Sequence, residues 1–245
     1  MGWSRARSGT LIVSYMSLLL QIETATTACS VALVQQGEVL AVKELNERNI
    51  HAEVITVFIE ELFTQTQKTY ADLDAIAVSS GPGSYTGLRI GVSTAKGLCY
   101  GLDKPLIAVE TLQAMADGMA ASISDKELLL CPMIDARRME VYTALFDAEG
   151  NRIQPTSAEI IDENSYAELL STRKILFFGD GAAKCRDVLG KHANASFDIE
   201  FANSAVYLTH GAIAAFNNQA FEDVAYYEPF YLKDFIAGKK AAPQG

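Results

Sequence analysis

The stretch Ser79-Ser80-Gly81-Pro82-Gly83-Ser84-Tyr85-Thr86-Gly87 has the composition best suited to holding an anion. It follows the apolar run Ala75–Val78 and precedes a helical pattern, and a helix start offers free N–H groups and a positive dipole end. It matches neither phosphate-binding string. Leu88-Arg89 follow Gly87 where G-x-x-x-x-G-K-[ST] needs a lysine, and G-x-G-x-x-G is absent. A tight turn with Ser84 or Thr86 as N-cap accounts for the same residues. A second candidate is the polar turn Glu23-Thr24-Ala25-Thr26-Thr27. Its backbone N–H groups and the Thr24 and Thr26 hydroxyls suit phosphates, with Glu23 organising Mg²⁺. That chemistry favours glycine where Ala25 stands, so a plain hairpin is the simpler reading.

Other chemistry finds fewer supports. Asp135-Ala136-Arg137-Arg138-Met139-Glu140 packs charge after an apolar strand, which suits an Asp–Arg pair fixing a hairpin as well as a catalytic acid. Gly179-Asp180-Gly181 reads as a turn. The histidines His51, His192 and His210 are scattered, as are Cys29, Cys99, Cys131 and Cys185, so zinc-ligand spacing is missing. The cysteines sit in apolar segments and read as core residues of a reducing compartment. G-x-S-x-G is absent, so a serine nucleophile has no elbow. His51, near a helix start, reads as a cap or surface residue.

The elements that must position these residues alternate. Ser17–Ile22, Cys29–Val34 and Val39–Leu45 form an antiparallel meander with a hairpin at Gly37. Residues His51–Gln67 switch to helical spacing, with Asn49 placed to cap them. Strand Ala75–Val78, a helix from Thr86 to Tyr100 closed by Gly101, strand Pro105–Val109 and helix Thr111–Ala121 follow. The order then begins again: strand Leu128–Ile134 ends at Asp135 as the first strand ends at Glu23, and Gly150 repeats the hairpin of Gly37. Later come strand Glu140–Phe146, a third strand opened by Arg152-Ile153, helices at Ser165–Leu170 and Ala182–Leu189, strand Ile175–Phe178, and a last helix, Ala205–Asn217. Such a repeat means two lobes of like topology: residues 16–121 and 122–245, the last segment able to pack back on the first lobe. Residues 1–15 read as a non-native or upstream extension before an effective start at Met16.

On the helix after the glycine-rich turn, Leu88, Val92, Ala95 and Cys99 form the core face. Gly87 and Gly91 lie one turn apart on a neighbouring strip, continued by Thr94 and Leu98. Interior glycines cost roughly 0.5–1 kcal/mol each relative to alanine, which is tolerable where another backbone comes close. A helix of this chain or of a second chain fits that requirement; the expectation is the second.

The 245 residues include 30 acidic and 20 basic ones, a formal charge of −10. Nucleic-acid backbones are held by clustered Lys and Arg, and only short basic pairs occur here. The chain alone is therefore expected to be repelled by RNA and by acidic membrane surfaces. No run of about 18 apolar residues is present, so the expected location is cytoplasmic.

Taken together, Ile22-Glu23-Thr24-Ala25-Thr26, Cys29-Ser30-Val31-Ala32-Leu33, Gly81-Pro82-Gly83-Ser84-Tyr85-Thr86-Gly87-Leu88-Arg89-Ile90-Gly91, Ile134-Asp135-Ala136-Arg137, Glu140-Val141-Tyr142 and Pro229-Phe230-Tyr231-Leu232 resemble the bacterial TsaB (YeaZ) family. The resemblance runs from Met16 to about Phe235. It implies an α/β fold of two duplicated lobes, each a mixed sheet flanked by helices, as in the actin, sugar-kinase and Hsp70 superfamily. It implies a non-catalytic subunit in the synthesis of threonylcarbamoyladenosine in tRNA, pairing with a TsaD-type transferase and a TsaE-type ATPase. It also implies a homodimer when alone, and tRNA contact only through the complex. No cofactor or metal is expected, apart from a nucleotide at a lobe or subunit boundary, with Glu23, Thr24 and Thr26 as a vestigial phosphate loop. The expected partner surface is Gly83, Tyr85, Thr86, Gly87, Gly91 and Thr94. The competing readings are an ATP-dependent phosphotransferase or ATPase of that superfamily, a glycoprotease-like peptidase, and an interaction module unconnected to tRNA.

Overall fold

A computed structural model of the chain describes residues 17–47 and 50–233. The expectations for residues 1–15, for Met16 and for an Asn49 cap lie outside the described residues.

Two five-stranded mixed sheets carry the fold. The first joins β1 (Leu18–Glu23), β2 (Ala28–Gln35), β3 (Glu38–Asn46), β4 (Ala75–Ser79) and β5 (Leu106–Val109) in the order β3-β2-β1-β4-β5. The second joins β6 (Leu129–Asp135), β7 (Glu140–Phe146), β8 (Arg152–Ile160), β9 (Ile175–Phe178) and β10 (Ala195–Asp198) in the order β10-β9-β6-β7-β8. Each is a meander whose first strand also pairs in parallel with the strand reached through a helix. The two sheets repeat one strand order, the duplicated α/β architecture of mixed sheets expected from the sequence. The central strand β1 is buried along its whole length, as its near-continuous apolar sequence requires.

Among the described residues six helices flank the sheets: α1 (His51–Thr66), α2 (Tyr85–Leu102), α3 (Thr111–Ala120), α4 (Ala167–Leu170), α5 (Ala182–Leu189) and α6 (Thr209–Asn217). Helix α1 lays Ile55, Ile59, Leu62 and Phe63 on the first sheet. Helix α2 adds Val92, Ala95 and Cys99 to the same core. It runs past Gly101 and ends at Asp103, whose φ of 53° reverses the chain, so the expected stop at Gly101 falls inside the helix.

The packing crosses the sequence boundary between the lobes. Leu112, Met115, Ala116 and Met119 of α3 pack on the second sheet with Leu130, Ile134 and Phe146. Conversely, Leu208 and Ala212 return to cover Leu19, Ala75, Ala77 and Ile107 of the first sheet. The expected last helix is in fact a 3-10 turn, Ala205–Leu208, followed by α6.

Candidate functional site

The turn after β1 is closed by the chain itself. Glu23 and Thr24 are fully buried and Thr26 nearly so. The Ser84 N–H donates to the Ala25 carbonyl at 2.7 Å. A Cβ at Gly83 would overlap the Ala25 carbonyl, one at Gly87 the Thr24 carbonyl, and one at Gly91 the Thr24 hydroxyl. The glycine-rich turn and the start of α2 therefore pack directly on Thr24 and Ala25. Ser84 caps α2, its Oγ accepting from the Gly87 N–H at 3.3 Å, as expected of that residue.

The partner for the small residues is thus within the chain at three of the expected surface positions, Gly83, Gly87 and Gly91. Gly87 and Gly91 are buried against Thr24, which corrects the expectation that they face a second polypeptide. Spacing identified the strip but not its neighbour, because the neighbour is a turn some sixty residues earlier rather than a helix. Gly83 is half-buried; of the other expected positions, Thr86 is exposed, while Tyr85 and Thr94 are half-buried.

Electrostatically the turn is unusual. Burial pushes the Glu23 carboxyl up to about 7, against the opposing effect of the Ala25 N–H and of the nearby polar groups of Ser79, Asn203 and Thr24. The Ala25 N–H lies 2.5 Å from Glu23 Oε1. His51 is buried, not a surface residue. Its Nε2 lies 3.0 Å from the Thr26 carbonyl and 3.2 Å from that of Ala28. Carbonyls only accept, so this nitrogen carries the proton and fastens α1 to the turn.

The end of the described chain straps this region. Lys96 Nζ donates to the Ala225 and Tyr227 carbonyls, and the Phe230 N–H donates to the Ser80 carbonyl at 2.7 Å. Tyr231 packs at a tilt of 41° against Tyr85, with ring centres 4.9 Å apart. Arg89 lies 4.2 Å over the Tyr85 ring, and its Nε donates to the Tyr231 hydroxyl. Sequence reading found the Pro229–Leu232 signature without its role as the clasp over the glycine-rich turn.

The corresponding hairpin of the second lobe stays open. Asp135 is exposed, pairs with Lys184, and sends its backbone N–H to Asp180 Oδ1 at 2.9 Å. The expected Asp–Arg pair is not what fixes this turn: Asp135 Oδ1 accepts the backbone N–H of Arg137 instead. The cysteines are all buried and unbonded, with Cys29 and Cys131 each pushed up to about 11, chiefly by burial. Among the described residues no group of three or more His, Cys, Asp or Glu is placed to hold a metal ion, and no helix is long and apolar enough to cross a membrane.

A cavity of about 660 Å³ that sequence reading missed opens between β8 and α4, lined by Thr143, Ser157, Glu159, Tyr166 and Glu168 among others. No pattern in the sequence announces it, since its walls come from three separate elements.

Residues 38–239 match the protein family described as TsaD, tRNA N6-adenosine threonylcarbamoyltransferase. A relative from Haemophilus influenzae, tRNA threonylcarbamoyladenosine biosynthesis protein TsaB, is 31% identical over 91% of this chain and 96% of its own. The Escherichia coli protein of the same name is 41% identical, over 55% of this chain and 57% of its own, so that match spans little more than half of either. Among solved structures, YeaZ from Pseudomonas aeruginosa is similar with a TM-score of 0.73 at 27% identity, over 89% of this chain and all of that one. With the duplicated sheets, the closed first turn and these matches in hand, the chain belongs to the TsaB (YeaZ) family of tRNA threonylcarbamoyladenosine biosynthesis proteins.

Proposed function

We propose that this chain is a non-catalytic subunit of the threonylcarbamoyladenosine machinery, holding a TsaD-type transferase in active form in an assembly joined by a TsaE-type ATPase. The observation that carries the non-catalytic reading is the filled turn. Gly83, Gly87 and Gly91 bring backbone against Thr24 and Ala25, so the turn that could have held a phosphate is packed against protein. This counts against the phosphotransferase alternative.

The partner surface in this reading lies on the other side of α2. Thr86, Ser93, Gly97, Tyr100 and Gly101 are exposed, and a Cβ at Gly97 or Gly101 would meet nothing within 4 Å. Beside them Val54 and Phe58 of α1 and Ile90 and Leu98 of α2 remain only partly buried. Small residues flanked by half-covered apolar ones suit close approach of another helix pair, either that of the transferase or that of a second copy.

The test is co-purification of the TsaD-type subunit with Gly97→Arg. This substitution leaves the buried face of α2 untouched, so the circular dichroism spectrum stays native while pairing and the stimulation of transfer are lost. Full pairing by this variant and by Ser93→Arg sinks the reading.

A further inference from the structure

We propose that the β6–β7 hairpin tip binds a phosphate group through Arg137 and Arg138. Both residues adopt left-handed backbone, with φ of 73° and 49°. A non-glycine residue in that region is strained, and such strain persists where the surroundings or a function hold it. Glycine or asparagine fits such positions at little cost, yet two arginines occupy them in a chain of formal charge −10. Their side chains are exposed.

The neighbouring acids are engaged elsewhere. Asp135 pairs with Lys184 and Glu140 with Lys233, while Asp180 accepts the Asp135 N–H. Among the described residues no carboxylate forms an ion pair with either guanidinium. Two adjacent planar guanidiniums offer the bidentate geometry that phosphate oxygens match. A second group is linked to the base of this hairpin through Lys233. Lys233, which reaches Glu140 on β7, is two residues from Tyr231, so at most about 7 Å of chain separates them. Tyr231 and Tyr85 flank Arg89 there. Aromatic rings beside arginine are what unstacked bases of single-stranded RNA pack against.

A phosphate ester reaches this tip either in an RNA strand presented by the partner subunit or in a free nucleotide. The RNA source rests on the reading of the chain as a subunit of a tRNA-modifying assembly; the phosphate site does not.

The experiment compares wild type with Arg137→Asn/Arg138→Gly in two arms. In the first, the full chain paired with its TsaD-type partner is titrated against a fluorescent anticodon stem-loop RNA over a range of salt. In the second, the chain alone is titrated calorimetrically with ADP. For RNA, loss of two contacts weakens binding about tenfold and flattens the salt slope by about 1.4, at roughly 0.7 per single-strand phosphate. The unfolding midpoint stays level or rises, because the new residues fit left-handed backbone. Weakening in the RNA arm supports the site with a polynucleotide as its ligand; weakening in the ADP arm supports it with a nucleotide. Unchanged binding in both arms overturns the proposal, and so does weaker binding accompanied by a lower midpoint, which marks a structural role. Failure of the wild-type chain to pair with the transferase defeats the subunit reading and leaves the ADP arm to judge the site.

Discussion

The two lobes end their first strand on an acid and treat it in opposite ways. Glu23 closes β1 and is fully buried; Asp135 closes β6 and is exposed. In the first lobe three glycines let a long helix press its backbone onto the following turn. In the second, close approach is limited to Gly179 and Gly181 ahead of α5, against the backbone of Met133, Ile134 and Asp135, and an ion pair from Lys184 links helix to turn. Duplication supplies one frame, and side-chain size at a few helix positions decides whether the hairpin end is sealed or offered to solvent. The third layer differs too. Sixteen residues of α1 cover the first meander, whereas α4, its counterpart in chain order, has four and leaves a cavity beside β8.

The contrast is broken most directly at Gly87. A side chain there meets the Thr24 carbonyl, a backbone atom that cannot rotate away. Gly87→Val is expected to destabilise the protein by about 4 kcal/mol in urea unfolding, at the high end for overpacking. Glu23→Gln tests the burial of the acid. The native pKa of about 7 lies above the ordinary 4.5, so the native state retains a proton that the unfolded state releases. Stability from this group is complete below pH 4.5 and is lost as pH rises through 7. At about 1.4 kcal/mol per pKa unit, the loss is on the order of 3 kcal/mol. The glutamine variant should flatten the decline in thermal midpoint between pH 5 and pH 8, whereas Asp135→Asn leaves it in place. An equal slope in wild type and Glu23→Gln would show that the carboxyl is not the titrating group.

Smaller effects sharpen the picture. Gly97→Ala, on the open side of α2, should raise stability by about 0.5–1 kcal/mol through helix propensity alone; a loss in the isolated chain would mean that the position is covered. Lys184→Met removes a partly exposed ion pair and should cost under about 1 kcal/mol, as read from a double-mutant cycle with Asp135→Asn. A larger coupling energy would make the second hairpin as tightly fastened as the first.

Much of this was legible in residue order. Alternation and apolar runs located nine of the ten strands, and the recurrence of acid-ended strand and glycine hairpin revealed the duplication. The tenth, Ala195–Asp198, is short and edge-placed, with no β-branched residue to announce it. The incomplete phosphate-loop composition was legible, but the packing of the glycine-rich turn on Thr24 and Ala25 was not: spacing tells which residues share a helix face, never which distant segment that face meets. The same limit applied to α3, whose apolar stripe was clear while its docking on the second sheet was not.

One face of the first sheet has a consequence for how the molecule is made. Leu19, Ala75, Ala77 and Ile107 are sheltered by Leu208 and Ala212, and Thr209 reaches back to Gln21 across 188 positions. While a ribosome is still translating the second half, that apolar face has no cover, so the amino-terminal half cannot mature ahead of the rest. Such long-range closure slows folding and lengthens exposure to aggregation or chaperone capture. Loss of α6, far from any binding surface, should therefore reduce the yield of soluble protein rather than the performance of what survives.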